Sequence, residues 1–247
     1  MKPVYFYAVA VFPALLACSC QKATTATHDT PLTAKKAPRT LIATVRLPEH
    51  LDTRGIKTSA ASAEMRYMET LDEVKQRADA IVVGYPTQDF ASRAHRVRYL
   101  PQDDGDPAKY VDSAWTQGPF HVDRVLYQKA GRSLTSGQTI SLAEPVGLSY
   151  DANTGAVRSI IEDCTELKQR SKYVLFLLAG NDGSYIFINF NLGRFNTDGT
   201  DREDELGMTN GTCLDGSKTA KQNLRDQLAA KYGVKFRRFH VHANARK

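Results

Sequence analysis

The sequence predicts one mainly β domain, a small closed barrel or tightly packed sandwich of short antiparallel strands flanked by two helices. Three observations carry this. Apolar runs of strand length recur between turn signals. Several of them, such as Ile81–Tyr85 and Tyr173–Leu178, are apolar at consecutive positions, as strands buried on both faces are. Helical spacing occurs at only two places, one ahead of these strands and one behind them.

In chain order, Thr40–Leu47 is rich in β-forming residues and stops at Pro48. Residues 49–61 are small and polar with Gly55, and read as a loop. Ala63–Ala78 reads as helical; Thr70 and Glu73 form a capping-box pair opening Leu71–Arg77, with Leu71, Val74 and Ala78 on one face. Ile81–Tyr85 is a buried strand, and Arg93–Leu100 is a weaker one, followed by a turn from Pro101 to Asp106. From Trp115 to Tyr127, Phe120 and Val122 alternate. The phase then slips so that Val125 points inward, which predicts a bulge.

Thr139–Leu142 and Val157–Ile161 follow as strands. Tyr173–Leu178 and Tyr185–Asn191 form a hairpin about Gly180-Asn181-Asp182-Gly183, residues that tolerate the positive φ of a tight turn. Asn196–Glu205 is an acidic loop. A helix capped by Asp215 or Ser217 runs to about Lys231 with Ala220, Leu224, Leu228 and Ala229 inward, and Val234–Val241 is a last short strand.

The chain has 247 residues, 42% hydrophobic and 24% charged, ordinary values for a globular protein. Its amino end is different. Val4–Ala17 is apolar, too short for a permanent membrane span but right for a secretory leader. It ends in Leu15-Leu16-Ala17 before Cys18, a string that resembles the lipobox of bacterial lipoproteins. The resemblance implies that residues 1–17 are removed, that Cys18 carries lipid, and that the protein is anchored outside the cytoplasm. Residues 18–39 are polar and read as a flexible tether; residues 40–242 form the single domain, with its core at about 71–231, and 243–247 are a basic tail.

Export accords with the other cysteines. Cys164 and Cys213 lie in the domain, where an oxidising compartment favours a bridge between them, worth roughly 4 kcal/mol in the chain-entropy model. Cys20 is a free thiol, a second modification site or an alternative lipid site. The net charge of +6 comes from the end of the chain, where basic residues from Lys218 onward face Asp226 alone. A solvated helix face accounts for them, and a patch for anionic headgroups, cell-wall polymers or nucleic acid is the other reading.

Three strings, Ala78–Gly84, Phe120–Tyr127 with Gly131, and Ser171–Leu177, resemble those of a group of bacterial surface lipoproteins. Their order is similar to the OB-like barrel of netrin modules and tissue inhibitors of metalloproteinases. Cys18-Ser19-Cys20 also resembles the opening of those inhibitors, whose terminal amine grips a catalytic zinc. Here the amine would be acylated and a spacer intervenes, which argues against that mechanism.

No Gly-x-Ser-x-Gly, phosphate-loop or His-Glu-x-x-His motif occurs, and no cofactor is implied. His240 and His242 lack acidic or thiol partners nearby. Asp103, Asp104 and Asp106, or Asn196, Asp198, Asp201 and Glu203, offer hard oxygens without EF-hand spacing. Cys164 has the acidic neighbours Glu162, Asp163 and Glu166, the reverse of what a nucleophile needs. Tyr173, Phe176, Tyr185, Phe187 and Phe190 form a core rather than a base-stacking platform, and the compartment argues against nucleic acid. The favoured function is a membrane-anchored binding module for an envelope protein or polymer. The alternatives are a protease inhibitor of netrin type and a hydrolase built on His95 or His121 with a distant carboxylate.

Overall fold

The computed structural model describes residues 41–49, 51–53, 55–61, 67–99, 111–151, 155–162, 164–204 and 219–237. Its elements are β1 (Leu41–Thr44), β2 (Lys57–Ala61), α1 (Leu71–Arg77), β3 (Ala80–Pro86), β4 (Ala94–Tyr99), β5 (Val111–Gln128), β6 (Thr139–Glu144), β7 (Val146–Asp151), β8 (Gly155–Ile161), β9 (Tyr173–Ala179), β10 (Tyr185–Phe187), β11 (Arg194–Asn196) and α2 (Ala220–Tyr232).

Five strands close a barrel. β3 pairs with β5, β5 with β6, β6 with β10, β10 with β9, and β9 returns to β3. Only the β6–β10 pair is parallel among these. Counting barrel strands alone, the order is 1-2-3-5-4, consistent with an OB-like barrel. The strands are not all short, because β5 has 18 residues and serves three neighbours. Its first half pairs with β4, its middle with β6 and its second half with β3. β4 and β1 therefore leave the barrel as a wing, and β1 ends that sheet.

The consecutive apolar residues are explained by burial on both sides. Val82, Leu175 and Leu177 point into the barrel with Phe120, Val122 and Leu142. Ile81, Val174 and Phe176 point outward into a second core under α1 and α2, with Val74, Leu224 and Leu228. The predicted bulge lies in β5, where Ile81 and Val82 face Tyr127 and Val125 and skip Leu126, and Val125 packs on the barrel core as expected. A second irregularity skips Asp123. At that point β3 carries Gly84, where an added Cβ would lie 2.1 Å from the His121 carbonyl oxygen.

The capping box at Thr70 and Glu73 forms as read. The second helix is capped instead by Thr219, with Gln222 completing its box, and it stops at Gly233. Residues 57–61, expected to be loop, form β2, parallel to β8. Both of their faces are exposed, so no alternation marked them. β10 ends at Phe187, earlier than expected, because Asn189 turns left-handed (φ 71°) and its amide group exchanges hydrogen bonds with the Met68 backbone, 2.9 and 2.8 Å. Val234–Arg237 is not a strand, and the rest of that segment lies outside the described residues.

A three-stranded sheet, β2-β8-β7, lies over the wing. Phe90, Val146 and Leu148 fill the space with Leu47, Leu51, Ile56 and Ile160. The two backbones meet closely at Gly147, where a Cβ would come within 2.6 Å of the Trp115 nitrogen.

Gly84→Ala will destabilise the domain by about 2 kcal/mol or more, since backbone blocks the new methyl. Chemical denaturation of the variant against the parent checks this.

Candidate functional site

The outside of the barrel carries a band of side chains that is ordered but not covered. Alternation along β5 turns Ala114 and Thr116 inward and leaves Trp115 and Gln117 on the outer side, partly exposed. Trp115 is the chain's single tryptophan. Arg96 of β4 lies directly opposite it. Arg96 Nε donates to Gln117 Oε1 at 3.2 Å, and Gln117 Nε2 donates to Ser141 Oγ at 2.9 Å, a chain of bonds across β4, β5 and β6. In register with Gln117 come Ala143, Ile186 and Leu178, so an apolar strip continues the polar one across β6, β10 and β9. Leu178 is 40% exposed.

The β9–β10 turn borders this band. Asp182 there is held below the usual carboxylate range, first by the Ser184 hydroxyl, then by backbone amides, with Arg96 adding its charge. The arrangement offers an aromatic face beside a guanidinium, an amide and a hydroxyl, the last three joined by hydrogen bonds.

Two sets of polar side chains inside the molecule are engaged with each other. Arg194, Asp201, Asp204 and Lys221 form a buried network. Lys221 Nζ donates to Asp204 Oδ1 at 2.6 Å, and Arg194 reaches both aspartates at 3.4 Å. Tyr173 donates to Asp201 Oδ2 at 2.8 Å, and Arg194 Nη2 donates to Thr165 Oγ1 at 2.8 Å. Burial works to raise Asp204, but Lys221 and Arg194 hold it below its ordinary value. Burial pulls Lys221 below its own, and Asp204 offsets this in part.

A second buried pair, Arg93 with Glu144, ties the end of β6 to Leu167, whose amide donates to Glu144 Oε2 at 2.8 Å. Burial pushes Glu144 up, with Arg93 opposing.

Both ring nitrogens of His95 are hydrogen-bonded inside the protein. The Leu148 amide donates to its Nδ1 at 3.1 Å, so the proton sits on Nε2, which donates to the Phe90 carbonyl at 2.9 Å. Burial, partly offset by the Phe90 bond, lowers its pKa to about 4, with Arg93 contributing. A groove of about 430 Å³ opens beside it, lined by Leu47, Glu49 and Leu51 on one side and by Asp89, Ala91 and Ser92 on the other. The polar atoms of Arg93 facing that groove already bond Gln88, Glu144 and Leu167. His121 lies elsewhere, on the outer face of β5, with Nε2 3.7 Å from Asp123 and its ring 5.1 Å from Tyr85.

The other expected residues are placed as follows. Cys164 is buried in the barrel core, and its thiol is pushed up to about 12 by burial, with Arg194 opposing. Cys18, Cys20 and Cys213 lie outside the described residues, and with them the lipid site and any Cys164–Cys213 bridge. His240, His242, Asp103, Asp104 and Asp106 lie outside them too.

Of the acidic loop, Asp201 serves Tyr173 and Arg194, while Asp198 Oδ1 accepts from Thr200 and Asn196. Among the described residues no group of three His, Cys, Asp or Glu is placed to hold a metal. The aromatic set packs in the cores as read, Tyr173 and Phe187 inside the barrel and Phe176 under the helices. Lys221, counted from sequence among the solvated basic residues, is buried against Asp204 because the acidic loop folds over the helix start.

Sequence reasoning missed the band. Its one signal was the lone tryptophan next to alternating polar residues. No protein-family model, curated protein or solved structure matches the chain.

Two expectations follow. Lys221→Met will cost about 3–5 kcal/mol by leaving Asp204 with an uncompensated share of buried charge, measurable as a fall in denaturation midpoint. Because His95 has a folded pKa of about 4 against roughly 6.5 unfolded, the unfolded chain binds the extra proton between those values. Its contribution, up to about 3 kcal/mol, is complete above pH 6.5 and is lost as pH falls toward 4. Denaturation curves from pH 7 to pH 5 will show this slope, and His95→Asn will flatten it.

Proposed function

We propose that this protein is a lipoprotein tethered outside the cytoplasm through Cys18, and that its OB-like barrel is a binding module which presents the band around Trp115 to a protein or polymer of the cell envelope. The observation that carries this reading is the band itself. OB barrels bind ligands on the face of their second and third strands, bordered by the loop between the fourth and fifth. Here those strands are β5 and β6 and that loop is Gly180–Ser184. That face holds Gln117 and Ser141, and Arg96 and Trp115 adjoin it on the wing, with Arg96, Gln117 and Ser141 prearranged by hydrogen bonds. Prearrangement lowers the entropy lost on binding, and a partly exposed indole is the side chain most often found at an energetic centre of an interface.

The fold by itself carries no activity. The strand order supports the resemblance to netrin modules as architecture. A hydrolase reading gains little support, because the His95 nitrogens are both bonded inside the protein and His121 sits outside the groove.

Trp115 makes the test direct, since all tryptophan fluorescence comes from one site. Titration with solubilised cell-wall polymer, and separately with envelope-protein peptides, is expected to shift or quench the emission with one of them. Trp115→Ala, measured by calorimetry, will bind that ligand about 30-fold more weakly with unchanged circular dichroism. Binding unchanged by Trp115→Ala, or no response to either fraction, overturns the reading of the band. Palmitate labelling that marks the chain but not Cys18→Ala tests the tether separately.

A further inference from the structure

The Trp115 band carries unmatched positive charge. Arg96 and Arg98 of β4 share the outer side with Trp115, because His95 and Val97 turn inward. Arg46 joins that side: it is exposed and stands between Val45 and Leu47, which line the groove with His95. Asp112 neutralises Arg98. Arg46 and Arg96 ion-pair with no carboxylate among the described residues. Asp182, held first by Ser184, is only weakly affected by Arg96. The connection that carries Asp103, Asp104 and Asp106 starts beyond Tyr99, three register steps along β4 from Arg96.

The groups left over in the band are chiefly hydrogen-bond donors. Arg96 gives Nε to Gln117, and its two terminal nitrogens have no hydrogen-bond partner among the described residues. The indole N–H of Trp115 has none there either. The Ser141 hydroxyl accepts from Gln117 and keeps its own hydrogen. Donors beside uncompensated positive charge call for an anion rich in acceptors, and a guanidinium fork matches the paired oxygens of a carboxylate or phosphate.

The sheet narrows the partner further. β4, β5, β6 and β10 each have a neighbour on both sides, so the band has no open edge for an added peptide strand. The grooves beside His95 and beside Met68, where an apolar peptide anchor would seat, lie off it. The band is instead an open face with an aromatic ring, and the strip Ala143, Ile186 and Leu178 extends it from Gln117 by three strand spacings, about 14 Å. A sugar ring has an apolar C–H face for such a surface and hydroxyls at its rim for Gln117 and Ser141. Resting on the reading of the band as the binding face, we propose that its ligand is an acidic glycan, whose carboxylate or phosphate is held by Arg96 and Arg46 while Trp115 stacks on a sugar ring.

The test uses the full-length protein with short oligogalacturonate and its methyl ester, which share rings and linkage and differ in charge. The acid is expected to quench Trp115 emission and to bind about tenfold more tightly than the ester, an advantage lost at high salt. Arg96→Gln is expected to weaken the acid about tenfold and the ester little, so that the two affinities converge, and Arg96→Lys to recover part of the loss. Arg46→Gln is expected to cost about threefold. Mannopentaose phosphate in place of oligogalacturonate tells a phosphate ligand from a carboxylate one, the tighter of the two naming the anion. Oligoglutamate and single-stranded oligothymidylate are expected to bind at least about tenfold more weakly than the better glycan. Circular dichroism and thermal midpoint serve as fold controls.

No binding of either charged glycan overturns the proposal, as does an ester bound as tightly as the acid or an acid affinity unchanged by Arg96→Gln. Tighter binding of oligoglutamate or of the DNA overturns it too, because the partner is then a protein or a nucleic acid. Where these arms fail while Trp115→Ala still weakens binding of an envelope fraction, the band stands and only the acidic glycan falls. Glycan binding untouched by Trp115→Ala removes the band itself, so the two readings fail separately.

Discussion

The pairing of β3 with β9 dictates how the remaining elements are arranged. Both strands are apolar at consecutive positions, so neither side of the pair tolerates water. The inward half, Val82, Leu175 and Leu177, requires a closed barrel around it. The outward half, Ile81, Val174 and Phe176, requires a cover, which α1 and α2 supply. Each fully buried aliphatic or aromatic side chain adds about 1.5–3 kcal/mol relative to exposure, so losing either cover would remove a large part of the small net stability of a domain.

The second requirement is electrical. Folding the chain after β11 back over the barrel buries Asp201 and Asp204, and two carboxylates without partners would be untenable there. Arg194, Lys221 and Tyr173 answer from three different elements. Such a network adds little net stability compared with an apolar core, but it penalises any arrangement that separates its members. It therefore fixes where α2 begins relative to β9 and β11. The Arg93–Glu144 pair acts similarly close by, joining the turn before β4 to the end of β6.

With the interior closed by these contacts, the proposed binding band lies on the outside. His95, Arg93 and Glu144 hold the wing, the barrel and the small sheet together through hydrogen bonds that engage both His95 nitrogens and most of the Arg93 guanidinium. The long strand β5 then matters most. It is anchored in the barrel by its second half, and its first half carries Trp115 and Gln117 on a rigid outward face. A binding surface built on a strand is held more accurately than one on a loop.

Much of this was legible in local pattern. Thr70 with Glu73, the bulge that turns Val125 inward, the hairpin at Gly180–Gly183 and the two-sided burial of β3 and β9 are all set by neighbours in sequence. β2 was not legible, because a strand exposed on both faces has no alternation to read. Nor was the band, since Arg96, Trp115, Ser141 and Leu178 become neighbours only through strand order and register. The same holds for Lys221, an ordinary helix lysine in sequence and a buried ion partner in the fold. Local pattern was enough for a two-helix β domain, most of its strands and their apolar faces, because hydrophobic periodicity and turn chemistry act over a few residues. The tertiary structure alone decided barrel closure, the parallel β6–β10 pairing and which polar side chains are left outside, because those depend on contacts between residues distant in the chain.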